Sequence, residues 1–538
     1  MSDFVRRAFR VAPLVVAGAL LSGCVTSPPS PLRSDEISKT SAQDIKRLYA
    51  EVEPLDHPLT LDEAIARALK YNLDARVRVM EQAMALDQWD VGRYDLLPKV
   101  VADAGYTSRN NYLITRSTNS ITGEPDLAAP YISSDRISMQ EDLGFTWSLL
   151  DFGQSYYSGK INSDRVLIAE EHRRKAEYQL IADVRTAFWR AASAQRLQAT
   201  VQTAIKEAES ALSLSRKSQS ERLANPLEAL RYQRQLLENL RLLEQVNQEL
   251  SSARIDLASL TRLPLSGDFL IAEPSSEISL WWQTASVDQL ESQAIAKNAD
   301  LRESFYDVRI AQAEAHRGLL KLFPGLSFSY AVHHSNDSYL INNVWNGAGI
   351  SLSVDMLQGL MRIPAQKRMG EAGVATADAQ RLATTMSVLA QVHLARLALS
   401  DAYRQYRRAD EIWNVDEKIV TEVDHRSAAQ VETPLDRVAN ETSTILSELR
   451  RYQAMALVQA AESRLQATLG VNPDIKGASN MSVADLTHQV SASLERWERG
   501  EVFDPLPADA TVSSTTASQG IVLSQSRLLD KAAPAAAH

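Results

Sequence analysis

The sequence predicts a mainly α-helical chain with a small membrane-type β component, built by duplicating one unit. Three features lead there. Very long helical arms carry heptad spacing, four short two-faced strands sit beside helix-ending prolines, and both recur in the second half in the same order.

The chain has 538 residues, 23% of them charged and 6% aromatic, with a net charge of −10. This composition suits long soluble helices, and the acidic balance argues against a nucleic-acid partner. Arg6, Arg7 and Arg10 precede an apolar run from Val11 to Leu21, the layout of a secretory signal. Leu21-Ser22-Gly23-Cys24 closes that run and resembles the bacterial lipobox. The resemblance implies cleavage after residue 23 and acylation of Cys24, the only cysteine, so no intrachain disulfide can form. Val25, where an aspartate would retain the protein at the inner membrane, implies sorting to the outer membrane, and several acyl chains anchor stably where one does not. Residues 24–56, rich in Ser, Pro and charge from 25 on, are expected to form an extended, lipid-anchored tether.

Thr60-Leu61-Asp62-Glu63 is a capping-box pattern, and a helix is expected from there to Leu97, ended by Pro98. The period then changes to two. Val100, Ala102, Ala104 and Tyr106 share one strand face, and Leu143, Phe145, Trp147 and Leu149 share another. From about Tyr156 the chain is almost free of Gly and Pro until Asn225-Pro226-Leu227. Leu180, Val184, Ala187, Ala191 and Ala194 lead in, and Leu236, Leu243, Leu250 and Leu257 fall seven apart on the way out. Two seams around one breaker predict an antiparallel helical hairpin, its first arm roughly 100 Å long at ~1.5 Å per residue.

The second half repeats this. Asp62, Ala68, Asn72, Asp74 and Pro98 match Asp288, Ala294, Asn298, Asp300 and Pro324 without a gap. Gly153, Ala169, Pro226 and Pro264 then match Gly359, Ala375, Pro434 and Pro473. Leu326, Phe328, Tyr330 and Val332 form a third apolar strand face, and Ile350, Leu352, Val354 and Met356 a fourth. The expected organisation is a signal peptide (1–23), a tether (24–56), repeat 1 (57–264), a linker (265–284), repeat 2 (285–473) and a partly disordered C-terminal tail (474–538). Four strands cannot close a barrel in lipid, where open edges are excluded, so closure needs partner chains: two copies supply eight strands, three supply twelve. A soluble sheet packed on helices is the competing reading of the same strands.

The order of motifs resembles the TolC family of outer-membrane efflux proteins. The match is carried by Leu61-Asp62-Glu63-Ala64-Ile65-Ala66-Arg67-Ala68-Leu69 with Asn72, Leu97-Pro98 and Phe323-Pro324, and Leu143 to Gly153. Asn225-Pro226-Leu227-Glu228-Ala229-Leu230 and Leu469-Gly470-Val471-Asn472-Pro473 complete it. The resemblance implies a homotrimer with a twelve-stranded β-barrel in the outer membrane and an α-barrel of helical hairpins in the periplasm. It would serve as a passive exit duct for tripartite efflux or type I secretion, completed by a periplasmic adaptor and an inner-membrane pump or ABC transporter. By the same resemblance the docking tips are Arg222, Leu223, Asn225, Pro226, Leu227, Thr433, Pro434 and Leu435, and Asp436 takes the place of a gate aspartate, with Glu228 at the corresponding first tip. The sequence departs from the family where Pro226 and Pro434 stand in place of a tip glycine and Ala439 in place of a second gate acid. The alternative is a lipid-anchored periplasmic coiled-coil adaptor or structural protein without a pore.

No catalytic set, metal site or cofactor motif is expected. Asp151-Phe152-Gly153 matches a kinase tripeptide but lacks the accompanying loops, and His333-His334 lacks a third ligand.

Overall fold

The structure is a computed structural model that describes residues 31–116, 118–125, 130–221, 225–265, 269–274, 278–354, 356–428, 434–471, 475 and 477–501. Helix α1 (Ser34–Tyr49) comes first, followed by α2 (Leu61–Tyr71) and α3 (Leu73–Tyr94). Strand β1 (Lys99–Ser108), the small hairpin β2 (Leu113–Thr115) and β3 (Tyr131–Ser134), and strand β4 (Ile137–Ser148) lead into α4 (Leu149–Ser220) and α5 (Pro226–Thr261). After a one-turn helix α6 (Trp281–Thr284), repeat 2 runs through α7 (Val287–Lys297), α8 (Ala299–Leu320), β5 (Gly325–Ser335), β6 (Val344–Ser353), α9 (Met356–Ala428) and α10 (Pro434–Leu469). A last helix, α11 (Val483–Glu498), closes the described chain.

The long arms α4 and α9 hold 72 and 73 residues, and each return arm, α5 and α10, holds 36. Each return arm therefore covers half of its long partner, and the short helix of the same repeat covers much of the rest. The joint is chemical. Asn72 caps α3, its Oδ1 accepting from Ala75 N at 3.1 Å, while its Nδ2 donates to Leu260 O near the end of α5 at 3.4 Å. In repeat 2 the Asn298 Oδ1 accepts from Leu301 N at 3.1 Å and its Nδ2 donates to Thr468 O at 3.0 Å. One asparagine in each repeat thus starts one helix and satisfies a last-turn carbonyl of another.

This corrects the expectation of one continuous helix from Thr60 to Leu97. The chain turns extended at Asn72 (ψ 130°), and the asparagine offers the backbone a local bond that competes with helix continuation. Only half of the expected capping box forms. Thr60 accepts from Glu63 N at 3.2 Å, but Glu63 is engaged by Arg67 Nε and His57 Nε2, both at 2.8 Å. Buried Arg67 also donates to the carbonyls of Glu53 and Pro54, pinning the end of the tether onto α2.

Two further expectations change. Within the tether, residues 34–49 are helical rather than extended, with no buried residue. Within the tail, α11 packs its Leu486, Val490 and Trp497 into the main core, and Trp497 meets Trp281 edge-on at 4.7 Å. The linker is pinned as well: the Gln195 side chain exchanges two 2.8 Å bonds with the backbone of Ile271.

The helical seams form as the heptads predict. Leu236, Leu243, Leu250 and Leu257 are all at most 2% exposed and face Val184, Ala194, Val201 and Ala208 across the hairpin, in clusters that follow the arms. Burying each leucine contributes roughly 1.5–3 kcal/mol, and alanine on the facing arm lets the helices approach closely.

The four main strands form one antiparallel sheet in the order β1-β4-β5-β6. The central pair joins the two repeats, with Phe145 opposite Tyr330 and Trp147 opposite Phe328. β1 and β6 are the edges, and neither has a second partner among the described residues.

Candidate functional site

The register sorts the sheet into two faces. Val100, Phe145, Tyr330 and Ala348 stand in one row, and Trp147, Phe328 and Ile350 in another, all on one side. Trp147 and Phe328 stack at 6.1 Å. This face is bare in the single chain: Val100, Leu143, Ile350 and Leu352 are each more than half exposed. An apolar band of this kind on a ten-residue strand matches a hydrocarbon layer, where the opposite face lines a lumen.

The opposite face is polar. Asp103, Asp142, His333 and Trp345 form one row across the sheet. His333 Nδ1 lies 2.6 Å from Asp142 Oδ1, and its ring stacks on Trp345 at 5.1 Å. Sequence reasoning missed this cluster because its members come from four strands. It does separate the two histidines: His334 faces the other side, 3.5 Å from Glu141, so His333 and His334 do not converge on one ion. Among the described residues no group of three or more His, Cys, Asp or Glu forms a metal site.

The loops beyond the strands are clasped together. Asp337, nearly buried, accepts from Ser134 Oγ at 2.7 Å and Asp135 N at 3.2 Å, and Asp135 accepts from Ser338 N at 2.7 Å. Asp151-Phe152-Gly153 opens α4, where Ser148 caps the helix by accepting from Asp151 N at 3.2 Å.

At the far end of the arms, Asn225 caps α5 by accepting from Leu227 N at 3.0 Å, and Pro226 occupies the first helical position, where its missing N–H is not needed. Pro226, Leu227 and Glu228 are exposed. Arg222, Leu223 and Thr433 lie outside the described residues, as does Cys24. Pro434, Leu435 and Asp436 form the first turn of α10, and their side chains lie outside the description.

The helical body holds a feature the sequence did not disclose. Arg185 Nη1 and Glu462 Oε2 lie 3.7 Å apart, one on each repeat, both almost fully buried. Burial pushes the Glu462 carboxyl up to about 7 against the pull of Arg185. Two other buried acids join α4 to α8: Glu171 accepts from Arg302 Nε at 2.6 Å, and Arg309 Nη2 lies 2.7 Å from Asp164 Oδ1.

The chain carries a two-faced, four-stranded sheet on long, duplicated helical hairpins. Residues 64–261 match the outer membrane efflux protein family. No curated protein sequence matches the chain. The fold is similar to that of the Campylobacter jejuni CmeC outer membrane channel (12% identity, 87% of this chain and 98% of that one, TM-score 0.59). It is also similar to a membrane protein from Pseudomonas aeruginosa (18% identity, 79% and 92%, TM-score 0.58). The open state of the Neisseria gonorrhoeae MtrE outer membrane channel is a third (17% identity, 76% and 88%, TM-score 0.57). The first repeat carries the family's sequence pattern, and the fold of the chain is that of these outer membrane channels.

Proposed function

We propose that the chain is the outer-membrane exit duct of a tripartite efflux or type I secretion system, working as a homotrimer. The observation that carries this reading is the sheet, with one apolar face, one polar face and two unpaired edges. Unsatisfied edges are excluded from hydrocarbon, so β6 of one copy pairs with β1 of the next, and three copies close twelve strands. A pore-free coiled-coil adaptor has no use for such a sheet. Cys24 carries acyl chains that hold each copy at the membrane, and the units at 57–264 and 285–473 act as successive staves of one wall.

The tips around Asn225 and Thr433 receive a periplasmic adaptor, which links the duct to an inner-membrane pump or ABC transporter. The duct itself is passive. Asp436 and Glu228 form acidic rings at the tips that favour cations, and docking realigns the inner helices there. Single-channel recording in planar bilayers tests the reading, together with the native mass of the oligomer. A cation-selective trimer is expected, and Asp436→Asn lowers its preference for K⁺ over Cl⁻ several-fold. A monomer without conductance overturns the duct, and an unchanged preference in Asp436→Asn removes that residue from the gate.

A further inference from the structure

The polar side of the sheet is built largely of small residues, and one row breaks that rule. Across β1, β4, β5 and β6 the neighbouring rows are Val101, Gly144, Ala331 and Gly347 on one side, and Gly105, Gln140 and Ser335 on the other. The row between them holds Asp103, Asp142, His333 and Trp345. Apart from Lys99 at the start of β1, it carries every acidic, basic or histidine side chain on this side of the four strands. Trp345 is out of place here as well. The other Phe, Tyr and Trp residues of these strands, Tyr106, Phe145, Trp147, Phe328 and Tyr330, all stand on the apolar side.

The row is closed in the middle and open at its ends. His333 Nδ1 lies 2.6 Å from Asp142 Oδ1, and Gln140 Nε2 donates to Asp142 Oδ2 at 3.2 Å. The His333 ring leans over Gly347, where a Cβ would stand 3.4 Å from Nε2. Asp103, at one end, is exposed and has no hydrogen-bond or ion-pair partner among the described residues. Trp345, at the other end, gives one ring face to His333 and is still 38% exposed. The two rings are 5.1 Å apart and inclined by 21°, so the stack runs from β5 to β6. The second face of the indole therefore looks out over the edge strand.

We propose that the free face of Trp345 and the carboxylate of Asp103 form a binding station for planar organic cations on the lumen wall. This rests on the trimeric duct proposed above and gives it a cargo chemistry. Closing the ring brings the two ends together, because β6 of one copy lies ~4.8 Å from β1 of the next. On this side β1 presents Asp103 with Gly105 next in phase, so a flat ring on the indole has a carboxylate within reach and space in which to lie. The ring stacks on the indole, and its positive charge is drawn to the indole face and to Asp103. The same carboxylate repels an anion. The Asp142–His333 clasp supports the indole from behind, so the station is set before cargo arrives.

Ethidium, a planar cation, tests the station by fluorescence anisotropy on the detergent-purified protein, beside the native mass of the same sample. Fluorescein, a planar anion, is the control probe. The parent is expected to bind one ethidium per copy and to bind fluorescein far more weakly. Trp345→Leu and Asp103→Asn are each expected to weaken ethidium binding by about tenfold. Tyr106→Leu, on the apolar side, is expected to leave it unchanged. A native trimer that binds no ethidium, or binds it equally well after either substitution, overturns the station and leaves the duct standing. Equal binding of fluorescein also refutes it, since charge is then not read. A native monomer overturns the duct and the station together.

Discussion

The buried Glu462 makes a pH-dependent stability that one substitution isolates. Its carboxyl has an ordinary value of 4.5, and burial beside Arg185 raises it to about 7. Between those two values the native chain holds a proton that the unfolded chain has released, so stability falls as pH rises. Below pH 4.5 both states are protonated and the effect is absent, and above pH 7 the loss is complete. At about 1.36 kcal/mol per pH unit between the two values, the loss comes to about 3 kcal/mol per copy. Glu462→Gln removes the titration. Its absolute stability shifts as well, because Arg185 loses its counter-charge, so the readout is the slope. Denaturant midpoints of the detergent-purified protein from pH 4 to pH 8 are expected to fall for the parent and to fall much less for Glu462→Gln. If both fall alike, the titrating group lies elsewhere and the assignment to this pair is wrong.

Other substitutions probe the joints and seams. Gly470 ends α10 with φ 65° in a Schellman turn, where Val471 N donates to Gln466 O and Gly470 N to Ala467 O. A Cβ there would stand 2.2 Å from Lys297 O, so Gly470→Ala is expected to destabilise by at least about 2 kcal/mol in thermal or denaturant unfolding. Asn298→Ala removes a cap and orphans a carbonyl in a buried joint, for about 1–2 kcal/mol; Asn72→Ala loses less, its bond to Leu260 O being 3.4 Å against 3.0 Å. Leu243→Ala opens a cavity in the α4–α5 seam at a position with no exposure and is expected to lose about 2–5 kcal/mol by the same measurement.

What the sequence disclosed was whatever repeats at short range. Heptads in α4 and α5, alternation in the four strands and the prolines at their edges are local patterns, and the duplication made each visible twice. The break at Asn72 was hidden because apolar residues continue on both sides of a single cap, and the matched pair Asn72 and Asn298 was the available signal. Helix α11 was hidden by its place beside a stretch rich in Ala, Ser and Thr, although Ser482 caps it by accepting from Asp485 N at 3.1 Å. Partners that lie far apart along the chain left no local trace. The pairing of β4 with β5, the row from Asp103 to Trp345, and Arg185 opposite Glu462 all join distant segments. The start of α5 at Asn225 and Pro226 was legible because capping chemistry is local.

The unpaired edges of β1 and β6 have a consequence for how the protein reaches its membrane. A lone copy that entered the lipid would expose two rows of backbone amides and carbonyls to hydrocarbon, each unsatisfied group costing several kcal/mol. Solitary insertion is thereby closed as a route. Exposed Met361, Met369 and Met386 of α9 and exposed Val77, Met80 and Met84 of α3 lie on the helical body, outside the sheet. For the proposed trimer, the order that avoids those open edges has the helices associating first in the aqueous compartment and the strands pairing as they cross. A variant that weakens the helical seams should accumulate as uninserted chains rather than as broken pores.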